Sequence, residues 1–132
     1  PAVFDALVFG VPDPRFGQTV AAIASLNVGA SVGEADLIAH VRMDKAWVGS
    51  IDISIKKAYT SNAFNISTKD LATHSQSGGQ FFGIHASNDG KIMIFAGGIP
   101  LKQGGEWVGA IGVSGGSGDQ DHAVAEAGAA AL

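Results

Sequence analysis

The chain has 132 residues, a formal net charge of −4 and only 15% charged residues, a balance that argues against a nucleic-acid binder. It has no cysteine, which excludes a disulfide framework, a thiolate nucleophile and a Cys-ligated zinc or iron–sulfur site. An apolar fraction of 46% excludes intrinsic disorder, and with so few charges it implies that part of the surface is covered by sister subunits.

The length fits a single domain, residues 1–132, with residues 1–35 atypical in sequence. No apolar run approaches the ~20 residues needed to span a bilayer, and no signal peptide is visible after Pro1. A cytoplasmic protein without a membrane span is therefore expected.

Residues 3–10 are apolar and bounded by Val11-Pro12-Asp13-Pro14, which reads as a strand ending in a proline turn. Residues 19–28 form a second strand candidate, and residues 29–33 a loop. Residues 35–43 fit two patterns. Ser31 to Glu34 has capping-box spacing before a possible helix face of Leu37, Ile38 and Val41, whereas strict alternation over the same residues suits a strand.

Residues 50–64 give the clearest helix, with Ser50 as N-cap and Asp52 in the first turn. Ile51, Ile55, Ala58 and Asn62 lie at helical spacing, and Lys56 and Lys57 project from other faces. Residues 68–72 predict a short helix and 75–80 a polar loop. Residues 81–86 and 91–96 read as two strands of a hairpin around Asp89-Gly90, closed by Gly97-Gly98-Ile99-Pro100. After a turn at Gly104-Gly105, residues 106–113 predict a third strand. Residues 114–118 form a glycine loop, and residues 119–132 a final helix with Asp119 as N-cap. From residue 50 the order is helix, short helix, three antiparallel strands, helix, which is an α+β layout.

Four stretches stand out together: Asp36-Leu37-Ile38-Ala39-His40-Val41-Arg42-Met43-Asp44, Ser50-Ile51-Asp52-Ile53-Ser54-Ile55-Lys56-Lys57-Ala58, Phe95-Ala96-Gly97-Gly98-Ile99-Pro100-Leu101 and Val108-Gly109-Ala110-Ile111-Gly112-Val113-Ser114-Gly115-Gly116. With the closing Asp121-His122-Ala123-Val124-Ala125, their order and spacing over residues 36–132 resemble the GlcG/HbpS family, which includes the C-terminal domain of PduO-type proteins. The resemblance implies a profilin-like fold, a five-stranded antiparallel sheet flanked by helices. It also implies homo-dimers or larger rings and a small-molecule ligand: haem, a corrinoid or iron.

A second resemblance covers residues 1–42. Residues 1–18, through Val11-Pro12-Asp13-Pro14-Arg15-Phe16-Gly17-Gln18, and residues 29–42 are similar to the C-terminal subdomain of acyl-CoA synthetases. The phosphate-binding loop and the tail lysine that adenylate formation needs are not in this sequence, so synthetase activity is not expected. The two resemblances meet inside residues 36–42. Gly10, Pro12, Pro14 and Gly17 make residues 1–20 a poor helix, yet the segment is expected to fill the helix–strand–strand slot that begins a GlcG-like domain.

A haem needs an axial ligand and an apolar cleft. His40 is the candidate ligand, and Arg42 beside it suits a propionate. The expected pocket adds Asp44, Lys56, Gly98, Pro100 and Ser114. His74, His85 and His122 read as surface histidines, and no histidine pair has the spacing of a helix-borne metal site. The loop at residues 112–119 passes from strand to helix, so its N–H groups can hold an anion; the plainer expectation is a tight packing turn. Gly112-Val113-Ser114-Gly115-Gly116 fits a nucleophile elbow literally, but an elbow needs a parallel α/β sheet. Trp47 and Trp107 are expected to anchor subunit contacts. The reading that follows is a non-enzymatic oligomer binding haem or a corrinoid. The alternatives are a small enzyme that holds a hydroxy or keto acid through Lys56 or Arg42, and a ligand-free scaffold.

Overall fold

The computed structural model describes residues 3–13, 17–26 and 39–132. Among these residues the architecture is α+β, with two separate two-stranded antiparallel sheets and three helices. Strands β1 (Val3–Asp13) and β2 (Gly17–Leu26) pair from Val3↔Leu26 to Asp13↔Gly17, with a register shift between Val3 and Asp5. The ribbon continues through Pro12, where a turn was expected. Proline gives up only its own N–H, which an edge strand tolerates. No helix occurs within β1 or β2, so these residues do not supply the expected initial helix. The loop expected at 29–33, the capping box from Ser31 and the start of the ambiguous stretch 35–43 lie outside the described residues. Residues 39–43 form neither helix nor strand.

Helix α1 (Gly49–Phe64) begins one residue before the expected N-cap, so Ser50 is buried inside its first turn and Val48 supplies no capping bond. It ends at Asn65 in the left-handed conformation, φ 52°. Its inward face differs from the one the apolar spacing suggested. Ser50, Lys57, Thr60 and Ser61 are buried, whereas Asn62 is exposed. Helix α2 (Thr68–His74) is capped by Ser67, whose Oγ accepts the Asp70 N–H at 3.0 Å, and it inserts Leu71 into the interior.

The hairpin expected over residues 81–96 is absent. Two 3-10 turns, Ile84–Ala86 and Asn88–Gly90, occupy this stretch, and residues 91–97 form no strand. Asn88 and Asp89 both take positive φ, 51° and 55°, as Asp-Gly turn chemistry favours. A turn signal alone makes no ladder; Phe81 and Phe82 are exposed instead of paired.

The second ribbon consists of β3 (Gly98–Gln103) and β4 (Glu106–Gly112), joined at Gly104 and Gly105 with φ of 59° and 91°. Gly97-Gly98-Ile99-Pro100, expected to end a strand, instead leads into one that begins at Gly98. Pairing of Gly98 with Gly112 and Ile99 with Ile111 sorts side chains by period two. Gly98, Pro100, Ala110 and Gly112 share the face toward α1, which packs on both strands. Ile99, Leu101 and Ile111 face helix α3 (Gly118–Ala129) and, with Val113, Val124, Ala125 and Ala129, form the apolar core. The cap of α3 is Ser117 in a reciprocal capping box with Gln120, two residues before the Asp119 that the sequence suggested. Glycine on the α1 side is a steric requirement. A Cβ at Gly98 would lie 2.6 Å from Lys57 O, Ser61 Oγ and Thr68 Cγ2, and one at Gly112 would collide with Ser54 O.

Candidate functional site

Close packing of α1 on glycine strands leaves room for one long side chain between the layers. Lys57 is that side chain and is fully buried. Its Nζ donates to Asp121 Oδ2 and to Val113 O, each at 2.8 Å, and lies 4.7 Å from the centre of the Phe95 ring. Asp121, 5% exposed in the first turn of α3, accepts the Gly116 N–H on Oδ1 at 2.8 Å. Burial pulls the Lys57 ammonium below its ordinary pKa; the hydrogen bond and charge of Asp121 oppose that shift. Gly97, φ 121°, makes the space, since a Cβ there would stand 2.8 Å from both Lys57 Nζ and Asp121 Cβ. Sequence reasoning did not find this pair. Lys56 and Lys57 are adjacent lysines, and only the helix phase separates the buried one from its neighbour.

The loop after β4 is a packing turn. The Gly116 N–H is taken by Asp121, the Ser117 N–H by Gln120 Oε1 at 2.9 Å, and the Gln120 N–H by Ser117 Oγ at 3.4 Å. Those donors do not point to an anion. The antiparallel ribbon also lacks the parallel sheet of a nucleophile elbow.

The seven expected site residues fall in three places. His40, Arg42 and Asp44 lie on an exposed segment before α1. His40 Nε2 is 3.3 Å from Ser54 Oγ, and Arg42 donates to Ala46 O at 2.6 Å. Lys56 is held by Asp52, one turn earlier on α1, at 2.9 Å. Gly98 is buried under α1, with its N–H on Thr68 Oγ1 at 2.8 Å; Pro100 shares its strand face, and Ser114 is half-buried in the glycine loop. A shallow depression of about 360 Å³ lies between α2 and α3, lined by Ser67, Asp70, Ile99, His122, Glu126 and Ala129, none of them an expected site residue. His122, expected at the solvated surface, is 12% exposed, with Nε2 3.4 Å from Glu126 Oε1. Among the described residues no group of three or more His, Asp or Glu is arranged to hold a metal ion, and no helix is long and apolar enough to cross a membrane.

The exposed segment has a further property. Val41, Trp47 and Val48 are 45%, 75% and 73% exposed, so an imidazole and a guanidinium are set among uncovered apolar side chains. Trp107 is also 44% exposed.

A family model described as haem degrading protein HbpS-like matches residues 18–130. An uncharacterised 15.0 kDa protein of the dhaT–dhaS intergenic region of Citrobacter freundii is 42% identical over 85 residues, 64% of this chain and 60% of that one. The corrinoid adenosyltransferase PduO of the same organism is 36% identical over 91 residues, 69% of this chain and 27% of that one. The chain thus matches less than two thirds of the length of either relative. The second resemblance is also present: a medium/long-chain fatty-acid–CoA ligase of Mycolicibacterium smegmatis is 59% identical over 46 residues, 35% of this chain and 8% of that one. Among solved structures, the haem complex of PduOC superposes with a TM-score of 0.67 and 35% identity, covering 70% of this chain and 67% of that one. Klebsiella pneumoniae protein ORFY superposes with a TM-score of 0.66 and 30% identity, covering 95% and 73%.

Proposed function

This chain belongs to the family described as haem degrading protein HbpS-like, and on that premise we propose that it is a homo-oligomeric binding protein for haem or a related tetrapyrrole or corrinoid. The observation that carries the reading is the segment before α1. His40 offers an imidazole nitrogen to an iron centre, Arg42 offers a guanidinium to a propionate, and Val41, Trp47 and Val48 offer an apolar face. These residues fit one side of a macrocycle. They form an open surface, so a second copy of the chain completes the cleft as a dimer or larger ring, which also covers the exposed tryptophan. A bound metal centre would supply ligand exchange and electron transfer; the chain would supply the His40 imidazole nitrogen, the Arg42 charge for the propionates and the exclusion of water.

Of the other expected residues, Asp44 lies close to Arg42 in sequence and belongs to the same surface, Gly98 acts through the close packing of α1, and Lys56, Pro100 and Ser114 are proposed as further ligand-lining groups. The haem complex of PduOC and the corrinoid adenosyltransferase PduO support the ligand class. The profilin-like, five-stranded arrangement that the family resemblance implies is part of the proposal, and the likeness to Klebsiella pneumoniae ORFY, which covers 95% of this chain, supports reading residues 1–132 as one domain. A cytoplasmic location is part of the proposal, tested by cell fractionation.

A hemin titration followed by absorbance tests the binding reading. The expected result is a saturable Soret band, displaced or lost in His40→Ala, with cobalamin as the corrinoid arm. Absence of binding by both hemin and cobalamin overturns it.

A further inference from the structure

Four of the five stretches that carry the family resemblance meet at one ion pair. Lys57 comes from the second stretch, Phe95 and Gly97 from the third, Val113 and Gly116 from the fourth, and Asp121 from the last. None of these residues lies on the exposed segment with His40. We propose that Lys57 and Asp121 are a positioning pair, whose role is to fix the glycine loop carrying Ser114 against the first turn of α1. The inference rests on the binding reading for its effect on ligand, and stands apart from it for its effect on the loop.

The geometry isolates two residues between two clamps. Before them, Val113 O accepts from Lys57 and the Val113 N–H donates to Gly97 O at 2.8 Å. After them, the Gly116 N–H donates to Asp121. Ser114 and Gly115 are thus held at both ends by groups joined through one Lys57–Asp121 contact. Gly115, φ 141°, stands against α1, a Cβ there lying 4.0 Å from Ser50 Oγ. Ser50 lies in the first turn of the helix that His40 touches through Ser54, so the clamp reaches the proposed binding surface through a single rigid element. A buried ion pair is a weak source of net stability compared with apolar side chains of the same volume, whereas its directional bonds fix geometry. Two of the three ammonium donors and both carboxylate oxygens of this pair are engaged, and two of its bonds end on the loop backbone.

The test compares the parent chain, the double variant Lys57→Met/Asp121→Leu and Asp121→Asn, which keeps an acceptor for the Gly116 N–H. Three quantities are measured: the urea midpoint, amide hydrogen exchange at Gly116, and hemin affinity. The double variant is expected to fold with a midpoint close to the parent, while Gly116 exchanges at least about tenfold faster and hemin binds about tenfold more weakly. In Asp121→Asn one amide oxygen has to serve both the Gly116 N–H and the Lys57 ammonium, so the urea midpoint is expected to fall below that of the double variant and Gly116 to exchange faster than in the parent; a parental midpoint and parental Gly116 exchange in this variant would overturn the proposal. An unfolded double variant overturns the proposal, because the pair would then hold the fold itself. So does a folded double variant with parental Gly116 exchange. If the parent binds no hemin, the binding reading fails alone, and Gly116 exchange still decides the positioning role.

Discussion

Lys57 on α1 and Asp121 on α3 are 64 residues apart in sequence and 2.8 Å apart in space, and neither reaches solvent to any useful extent. Helix α1 therefore meets the sheet through small and polar groups, and its one long inward side chain is a charge with three partners.

Removing one member of this pair leaves the other charged, buried and unpaired. Lys57→Met and Asp121→Leu as single substitutions are each expected to cost about 3–5 kcal/mol in urea unfolding. A loss below about 1 kcal/mol for either would place the pair in water.

The same interface sets the tolerance of its glycines. Gly98→Ala drives a methyl group into Lys57 O, Ser61 Oγ and Thr68 Cγ2 and is expected to cost at least about 1–3 kcal/mol. Gly49→Ala meets nothing within 4 Å at the start of α1 and is expected to stabilise by about 0.4–1 kcal/mol through the unfolded chain. Equal effects at the two positions in thermal melts would contradict the close approach of α1 to β3.

The pH dependence has a definite sign. The folded-state pKa of Lys57 is lowered from 10.5, mainly by burial. Between the lowered value and 10.5 the unfolded chain binds more protons than the folded one at this site. The contribution of this group to stability therefore increases as pH rises across that window, and it is lost as pH falls through the folded value. Urea midpoints of the parent minus those of Lys57→Met should rise over this range. A falling difference would mean that pairing with Asp121 outweighs burial.

Much of the chain was legible in local signals. The short helical segment at Thr68, the paired glycines at 104 and 105 and the strand-like run from Glu106 each point to the element that forms. Two features were not legible, for different reasons. Residues 81–96 carry an Asp-Gly turn signal, but a strand also needs a partner across the ladder, which no local pattern reports. The inward face of α1 is polar, so hydrophobic spacing pointed to Ile51, Ile55 and Ala58 and passed over Lys57. At the proposed site, His40 and Arg42 do lie together on one exposed segment, whereas Lys56 and Gly98 were grouped with them on the strength of motif and not of space. Ser117 and Gln120 form a capping box that the sequence displays openly; the acidic Asp119 drew the boundary two residues too late.

Native mass spectrometry with hemin tests the central claim most directly, because it reads ligand and assembly in one spectrum. The account predicts hemin on dimers or larger rings of the parent chain and a marked loss of that adduct in His40→Ala. Hemin carried only by monomers, or retained equally by His40→Ala, would contradict it.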